Sequence, residues 1–410
     1  MSDNPTILPS HNQHDKHKIG IHHTGGNLTQ QAWKVIKKYT YLIVFIVPAA
    51  VVLGARFGGA LAYLTPLVAF GILPLLDLLV GEDKSNYSEA EEKHMDGELY
   101  YRLITFLFVP AYYLALGFAL YRAASGEWSL ADWLGNLWSV GIMGGINITV
   151  AHELGHKQNA FEKFLARTLL HAVFYGHFMN EHNKGHHALV STPDDPATSR
   201  FGESFYAFYP RTVIGTLRKA AELEAQRLRR MGKSAWNWRN EMYRNLAYPL
   251  LLTTAAYLAG SASGGTQPGL FGIGNGPALA LFFVIQALLG FSLLEVVNYL
   301  EHYGLQRRKL DNGRYERVAP VHSWNSNHLV TNCFLYHLQR HSDHHTWPAR
   351  RYQTLRNFDD SPQLPTGYAG MVLLAVVPPL WFAVMNPRVE RFMQLQRQTQ
   401  AIEGNGIVAS

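Results

Sequence analysis

Nine histidines in four short clusters are the residues of this chain best suited to chemistry. The clusters are His152 and His156; His182, His186 and His187; His302; and His341, His344 and His345. Neutral imidazole is a common ligand of iron, copper and zinc, and one mononuclear zinc site needs only about four ligands. So large a set of nitrogen donors therefore predicts two metal ions.

Regular spacing within the clusters predicts that helices carry them. His152 and His156 are four residues apart, so both side chains face the same way on a helix. His182 and His186 repeat this spacing, and His187 is turned to a neighbouring direction. Because the last cluster has an i, i+3, i+4 pattern, each helix is expected to offer two or three nitrogens on one side.

The cysteine content limits the redox chemistry that the chain can do alone. Cys333 is the only cysteine, which excludes a disulfide framework and a cysteine-ligated cluster. Electrons, where the chemistry needs them, must therefore come from outside this chain. The polar stretch Met1–Asn27 has no apolar signal-peptide core, and we expect a disordered arm with solvated histidines. These are His11, His14, His17, His22 and His23.

Six apolar stretches approach or reach the length of about 20 residues that a membrane helix needs. They are Tyr39–Gly54, Gly58–Val80, Leu103–Tyr121, Leu134–Ala151, Leu246–Gly260 and Pro277–Leu300. Arg56 and two glycines form a tight turn between the first two, which predicts a helical hairpin. A further stretch, Tyr368–Met385, contains adjacent prolines that break a helix, so we expect an interfacial or partly buried segment.

Lysine and arginine are concentrated in alternate connections, which sets the expected orientation. Both chain ends and all four histidine clusters are then predicted at the cytoplasmic face. The expected fold is an all-α integral membrane protein with six transmembrane helices and a cytoplasmic helical cap rich in histidine. The expected regions are a disordered arm (1–33), transmembrane helices 1–4 (34–151), a cytoplasmic metal-binding loop region (152–244), transmembrane helices 5–6 (245–300), a cytoplasmic metal-binding C-terminal region (301–397) and a flexible tail or linker (398–410).

Two other functional classes are open on these residues alone. His-Glu-x-x-His at 152–156 is also a zinc peptidase motif, in which Glu153 would be the general base. That interpretation explains two of the nine histidines and leaves seven without a role. A metal transporter would place ionisable residues in several spans, whereas Asp77 and Glu295 are nearly alone there.

Four strings around the clusters carry a family resemblance. They are His-Glu-Leu-Gly-His-Lys (152–157), Glu-His-Asn-Lys-Gly-His-His (181–187), Asn-Tyr-Leu-Glu-His-Tyr-Gly (298–304) and Leu-Gln-Arg-His-Ser-Asp-His-His (338–345). They are similar to the signature motifs of membrane-bound alkane 1-monooxygenases, in the integral-membrane di-iron fatty acid desaturase and hydroxylase superfamily. The resemblance extends from the first span to about Pro387, and the string after His345, Thr346-Trp347-Pro348, departs slightly from the expected pattern.

The resemblance implies a function and its components. It implies two iron ions ligated by the nine clustered histidines, with O2 as co-substrate and an n-alkane hydroxylated at its terminal methyl. It further implies a bacterial inner membrane location and electrons from rubredoxin, which an NAD(P)H-dependent reductase reduces. A fatty acyl desaturase or lipid hydroxylase on the same scaffold is the closest enzymatic alternative. Neither the resemblance nor the sequence assigns the nine ligands to individual irons, and no nucleic-acid partner is expected.

Carboxylates near the clusters are expected to orient the ligands, because a metal-bound histidine usually donates its other N–H to an oxygen. The candidates are Glu153, Glu181, Asp194, Asp195, Glu301 and Asp343. Glu295 lies inside the sixth span, two helical turns before His302, and Asn298 shares that face. A carboxylate in a span is costly and usually functional, so Glu295 is expected near the site.

The fourth span carries a face that suggests a route for the substrate. Counting back from His152, this face holds Ile148, Gly145, Gly141 and Trp138. One hypothesis is an apolar channel in which Trp138 limits the chain length. The alternative is that the glycines permit close helix packing, as is common in membranes.

Basic residues of the predicted cytoplasmic face are candidates for docking an acidic electron carrier. The candidates are Arg200, Arg211, Lys219, Arg227, Arg229, Arg230, Arg350 and Arg351. The alternative is that they only reflect the excess of positive charge on that side.

Overall fold

The structure, a computed structural model, describes residues 33–406 of the chain. The predicted N-terminal arm and its histidines lie outside the described residues, apart from residue 33, and so do residues 407–410. The chain divides into two units, Met1–Tyr39 and Thr40–Ser410, and the packing discussed below is that of the second. Its regular structure is almost entirely helical, which confirms the all-α prediction.

Helices account for nearly every element of the described residues. They are α1 (Trp33–Phe57), α2 (Gly59–Val80), α3 (Glu89–Gly97), α4 (Leu99–Ala124), α5 (Leu130–Gly155), α6 (Ala160–His171), α7 (Phe178–Glu181), α8 (His187–Leu189), α9 (Phe205–Arg230), α10 (Glu241–Ser263), α11 (Asn275–His302), α12 (Leu329–Phe334), α13 (His341–Thr346), α14 (Tyr368–Ala375) and α15 (Pro378–Gly406). A π-turn, His182–His186, joins α7 to α8. Two antiparallel strands, β1 (Thr266–Gln267) and β2 (Ile273–Gly274), precede α11.

Five of these helices, within residues 33–406, are long and apolar enough to cross a membrane. They are α1, α2, α4, α5 and α11, and they contain five of the six predicted spans. The remaining predicted span, Leu246–Gly260, lies within α10, which has 23 residues but is less apolar than the other five. Six spans therefore remain a prediction.

Glycine and proline define the helix ends as the sequence indicates. Gly58 and Gly59 adopt φ values of +65° and +58° between α1 and α2, a conformation that favours glycine, so the predicted hairpin turn is confirmed. α15 begins at Pro378, where the adjacent prolines prevent α14 from continuing. The predicted flexible tail begins inside α15, which extends to Gly406.

The centre of the bundle is the contact between α5 and α11. A methyl group added to Gly141 would lie 2.6 Å from Cβ of Leu289, and one added to Gly145 would lie 2.5 Å from Cδ2 of Leu293. The glycines therefore let the two helices approach closely, as the packing alternative for this face requires. Because the contact positions advance together along both chains, α5 and α11 are parallel.

This parallel arrangement places two histidine clusters at one end of the bundle. α5 ends at Gly155, next to His152 and His156, and α11 ends at His302. The π-turn and α13 bring the other histidines to the same place, so the four clusters separated by up to 193 positions in the sequence converge.

Candidate metal centre

The nine clustered histidines form two separate groups of ligand atoms. The first group contains His152, His156, His182, His187 and His344, and the second contains His186, His302, His341 and His345. In each group the ligand nitrogens all lie within 4.8 Å of one another. The structure therefore divides the nine candidate ligands into five and four, an assignment that the sequence left open.

The distances between nitrogens match the edges of a coordination shell. In the five-histidine group, Nε2 of His182 lies 2.9 Å from Nε2 of His152 and 3.1 Å from Nε2 of His187. In the four-histidine group, Nε2 of His341 lies 3.2 Å from Nε2 of His302 and 2.9 Å from Nε2 of His345. Ligands about 2.1 Å from one ion, at right angles to each other, are separated by about 3 Å.

The π-turn changes which histidines of the second cluster act together. His182 and His186 lie side by side, with ring centroids 5.1 Å apart, but their nitrogens belong to different groups, and residues 182–186 form a π-turn instead of the expected α-helix. The i→i+5 repeat of a π-turn brings His182 together with His187 and turns His186 to the other group. One short segment thus supplies both groups.

The last cluster is divided in the same way. His341 and His345 are four residues apart on α13 and belong to the four-histidine group, whereas His344 belongs to the five-histidine group. The two groups are close neighbours, since the rings of His187 and His345 have centroids 4.4 Å apart. The expected i, i+4 pairing of His152 and His156 is confirmed.

Unpartnered nitrogens and neutral rings show that both groups fit a metal ion. Nε2 of His156 in one group and Nε2 of His186 in the other are buried without a hydrogen-bond partner. Burial, followed by the neighbouring imidazoles, holds the pKa of His182, His187 and His344 well below the usual range. The pKa values of His341 and His345 are lowered for the same reasons. Unprotonated imidazole is the form that binds metal.

Two oxygen atoms lie behind the four-histidine group, each against an Nδ1 nitrogen. Oδ2 of Asp195 lies 2.8 Å from Nδ1 of His186, and the backbone oxygen of His322 lies 3.1 Å from Nδ1 of His302. Each contact leaves Nε2 free to face the metal position. Of the two adjacent candidates, Asp195 contacts a clustered histidine, whereas Asp194 is exposed. His322 had no sequence signal, since it acts through its carbonyl oxygen.

Two other predicted carboxylates, Glu153 and Asp343, pair with basic side chains and not with the clustered histidines. Glu153 Oε1 lies 3.0 Å from Nζ of Lys157 and accepts a hydrogen bond from the backbone N–H of Tyr352 at 3.4 Å. Asp343 Oδ2 lies 3.2 Å from Nη1 of Arg350. The pairing of Glu153 with Lys157 counts against the peptidase interpretation, which needs a free general base facing the metal.

Glu301 is the carboxylate closest to the ligand atoms themselves. Its Oε2 lies 3.2 Å from Nε2 of His341, and its Oε1 accepts a hydrogen bond from the hydroxyl of Tyr368 at 3.0 Å. Tyr368 is 67 residues away on α14, so no spacing rule could have found it. An oxygen donor thus lies at the edge of the four-histidine group.

Glu181 and Glu295 are fully buried near the clusters but have different partners. Glu295 accepts hydrogen bonds from the side chains of Tyr175, Thr212 and Asn298, which confirms that Asn298 shares its face. Glu181 Oε1 is buried without a partner, and burial raises the pKa of this carboxyl well above its usual value. Glu295 is therefore integrated in a bonded network, and Glu181 is not.

A small apolar cavity of about 60 Å³ adjoins the metal centre. It is lined by residues of α2, α5, α11, α12 and α14, among them Ile146, Thr149 and Tyr368. Thr149 lies three residues before His152, and Tyr368 bonds Glu301, so the cavity ends within about one helical turn of the ligands.

The predicted channel face only partly coincides with this cavity. Gly145 lines it, whereas Trp138 is half-exposed on the outside of α5 and Gly141 faces Leu289. Ile148 is fully buried. A larger cleft of about 850 Å³ opens between α4 and α10, and its deepest residue on α11 is Phe283, about 28 Å along the helix from His302.

Comparison of this sequence with known proteins identifies first its superfamily and then its family. The family described as fatty acid desaturase matches residues 127–375, which include all nine histidines. An alkane 1-monooxygenase 2 from Pseudomonas aeruginosa is 47% identical over 378 residues, covering 88% of this chain and 94% of that protein. An alkane 1-monooxygenase from Pseudomonas putida is 42% identical, covering 86% of this chain and 85% of its own length.

A more distant relative marks the breadth of the group. The hydroxylase component of a xylene/toluene monooxygenase from Pseudomonas putida is 28% identical over 351 residues, covering 84% of this chain and 87% of its own. The chain belongs to the alkane 1-monooxygenase family within the fatty acid desaturase superfamily.

Proposed function

We propose that the protein is an integral-membrane di-iron monooxygenase that hydroxylates the terminal methyl of medium- or long-chain n-alkanes to primary alcohols. The observation that carries the proposal is the pair of adjacent all-histidine groups beside an apolar cavity. Nitrogen-rich sites suit redox-active iron, and the walls of the cavity are mostly apolar, with Thr149, Thr331 and Tyr368 as its polar residues. The family relationship supports the same reaction.

The nine histidines would hold two irons, one in each group, and when bound these supply the oxidising power for O2 activation. Asp195 and the carbonyl of His322 keep His186 and His302 in the tautomer that faces the metal position. Their anchoring prevents the ligand rings from turning away during turnover. The buried surroundings exclude water, so that the substrate meets the oxidant before solvent does.

The alkane is proposed to extend its methyl end through the cavity towards Thr149. The walls contributed by Ile142, Ile146 and Leu293 give dispersion contacts and offer no polar group that favours an acyl headgroup. The cavity of about 60 Å³ must widen to accept the chain, because ligand sites for small molecules usually enclose several hundred Å³. Gly145 would remain part of this route, while Trp138 lies outside it.

Chain length gives a test of this position. Ile146→Phe adds volume to the cavity wall, and the longest alkane that is hydroxylated should become shorter. Trp138→Ala should leave the product range unchanged, since Trp138 lies on the exposed side of α5. Product distributions from a mixture of alkanes would be compared by gas chromatography. A shift with Trp138→Ala alone would place the route on the outer face of the helix.

Rubredoxin, reduced by an NAD(P)H-dependent reductase, is the proposed electron donor, and the bacterial inner membrane is the proposed location. The metal centre would lie at its cytoplasmic face, where these soluble proteins are available. Support comes from the excess of lysine and arginine in the segments that carry the histidines.

The function is tested with the full chain in lipid nanodiscs, loaded with ferrous iron. Metal analysis should find two irons per chain. Reduced rubredoxin, n-alkane and labelled O2 should yield a primary alcohol containing the label. An acyl-lipid substrate that gains a double bond without label would support the desaturase alternative instead. Bound zinc without any oxygen-dependent product would contradict the proposal.

A further inference from the structure

Two basic clefts meet at Pro193, on the side of the four-histidine group. The first, of about 560 Å³, is lined by Arg307, Arg308, Lys309, Arg317 and Arg397, and Glu316 is the only carboxylate among the described residues that line it. The second, of about 610 Å³, is lined by Arg200, Arg211, Arg218 and Lys219, with Asp194 and Glu222. Pro193 is exposed and lines both clefts. We call the two clefts together the Pro193 surface.

Several charges of the Pro193 surface are available to a partner. Lys309, Arg317 and Arg218 are exposed, and within the described residues they form no ion pair. Arg307 is not available to a partner in this way, because its guanidinium donates hydrogen bonds to the backbone oxygens of Glu316 and Ala188. It thereby ties the cleft to α8, which begins with His187.

The walls of both clefts are connected directly to metal ligands. His322 lines the first cleft, and its carbonyl oxygen contacts His302 at 3.1 Å. The second cleft is lined by the residues on either side of Asp195, whose carboxylate contacts His186 at 2.8 Å. Two of the four ligands of one group therefore lie one hydrogen bond behind the Pro193 surface.

Four of the eight basic residues singled out from the sequence are already paired within the protein. Arg211 bonds Glu203, Arg227 bonds Glu224, Arg350 contacts Asp343 and Arg351 bonds Glu162. Arg229 and Arg230 are exposed, but they follow Lys219 by ten residues or more on α9, a distance of about 15 Å.

We propose that the Pro193 surface docks an acidic one-electron carrier, a small iron–sulfur protein of the rubredoxin class, and passes its electrons first to the four-histidine group. This inference rests on the proposed function. One turnover converts O2 and an alkane C–H bond, with two electrons and two protons, into an alcohol and water. The carrier's iron is oxidised by one electron in each of two successive encounters. The adjoining clefts suit the small interfaces of transient redox partners, below about 1,200 Å² in total.

The test compares three variants of the iron-loaded enzyme in nanodiscs. Lys309→Glu/Arg317→Glu reverses the first cleft, and Arg218→Glu reverses one charge in the second. Arg229→Glu/Arg230→Glu is the matched control at the far end of α9. Reduced rubredoxin is mixed anaerobically with each enzyme, and its oxidation rate, its dissociation constant and the salt dependence of both are measured.

Charge reversal at the surface should lower the bimolecular oxidation rate about tenfold or more at low salt. The difference should shrink near 1 M salt, where charges interact over only about 3 Å. The control should stay within about twofold of the wild type. Equal rates and affinities in wild type and both surface variants, or a loss confined to the control, would overturn the proposal.

These measurements need no alkane, so they decide the docking site whether or not hydroxylation is observed. Turnover with dithionite as a chemical reductant separates the two questions further. A surface variant that keeps this turnover but loses carrier oxidation supports the docking site. A wild-type enzyme that oxidises rubredoxin but never forms alcohol contradicts only the proposed function.

Discussion

Asp195 holds the one ligand of the π-turn that belongs to the four-histidine group. Its carboxylate contacts His186 and accepts hydrogen bonds from Thr198 and the backbone of Ala197. Burial acts to raise the pKa of Asp195, but these contacts outweigh it and hold the pKa below its usual value. The carboxylate is therefore ionised and able to accept from the His186 ring.

Asp195→Asn should weaken metal binding in one group only. The asparagine amide presents to His186 either an N–H group or an oxygen that is a weaker acceptor than the carboxylate. Such changes behind a metal ligand typically lower the affinity for the metal about 10- to 100-fold. Chelator titration followed by metal analysis should show one iron lost early and one retained. Asp194→Asn removes the same charge from an exposed neighbour and should behave like the wild type. Equal retention in both variants would contradict the orienting role.

His177 gives the fold a pH dependence that is separate from the ligands. Burial lowers the pKa of His177 to about 4. In the unfolded chain the pKa is about 6.5, so the unfolded state binds the extra proton between these values. Stability contributed by the neutral ring is therefore complete above pH 6.5 and declines as the pH falls towards 4, by about 3 kcal/mol at most.

His177→Gln should flatten this decline. Melting temperatures in detergent, compared between pH 7 and pH 4.5, should fall less in the variant than in the wild type. His94→Gln removes a histidine whose side chain is 80% exposed and should follow the wild-type curve. Parallel curves for all three proteins would show that the buried ring has no such effect.

At the scale of elements, the regular α-helices could be predicted from their periodicity, whereas an irregular turn and contacts between distant segments could not. The apolar stretches and the spacing of His152 and His156 identified α5 and its ligand pair. The π-turn at 182–186 could not be predicted, because no residue there signals an extra residue in the turn, and it groups His182 with His187 instead of His186. Tyr368 and the carbonyl of His322 were missed because tertiary packing alone brings them to the ligands.

Close packing of α5 on α11 should control the stability of the whole site. Gly145→Ala places a methyl group 2.5 Å from Leu293, and overpacking of this kind usually costs about 1–3 kcal/mol. We expect a lower melting temperature in detergent for this variant. Gly117→Ala on α4 is the control, because an added methyl meets nothing within 4 Å there.

A second substitution separates packing from other effects of Gly145→Ala. Leu293→Ala removes Cδ2 and Cγ, two of the three atoms that the new methyl group meets, and leaves Cβ at 2.9 Å, so the double variant should lose less stability than the sum of the two single variants. Additive losses, or equal losses in Gly145→Ala and Gly117→Ala, would contradict a direct helix contact at this position.

Across the whole molecule, the exposed apolar helix faces lie apart from the metal centre and the basic surface. Long apolar faces, such as those of α4 and α10, carry exposed residues that include Leu114, Leu251 and Leu258. The metal centre and the Pro193 surface instead lie where α5 and α11 end. If α10 crosses the membrane as predicted, the segments that carry the basic residues and the clustered histidines all lie on the same side of the membrane.

Labelling of the loops before and after α10 and α11 shows on which side of the membrane each loop lies and so tests that arrangement. Cys333 is buried and is the only cysteine, so Cys333→Ser gives a background for single reporter cysteines. Phe271→Cys, at a site that is 96% exposed between α10 and α11, should react with an impermeant maleimide in intact spheroplasts. Lys233→Cys, before α10, and Arg314→Cys, after α11, should react only after lysis. Protection of Phe271→Cys in intact spheroplasts, with labelling after lysis, would mean that α10 does not cross the membrane and that its apolar face is covered in another way.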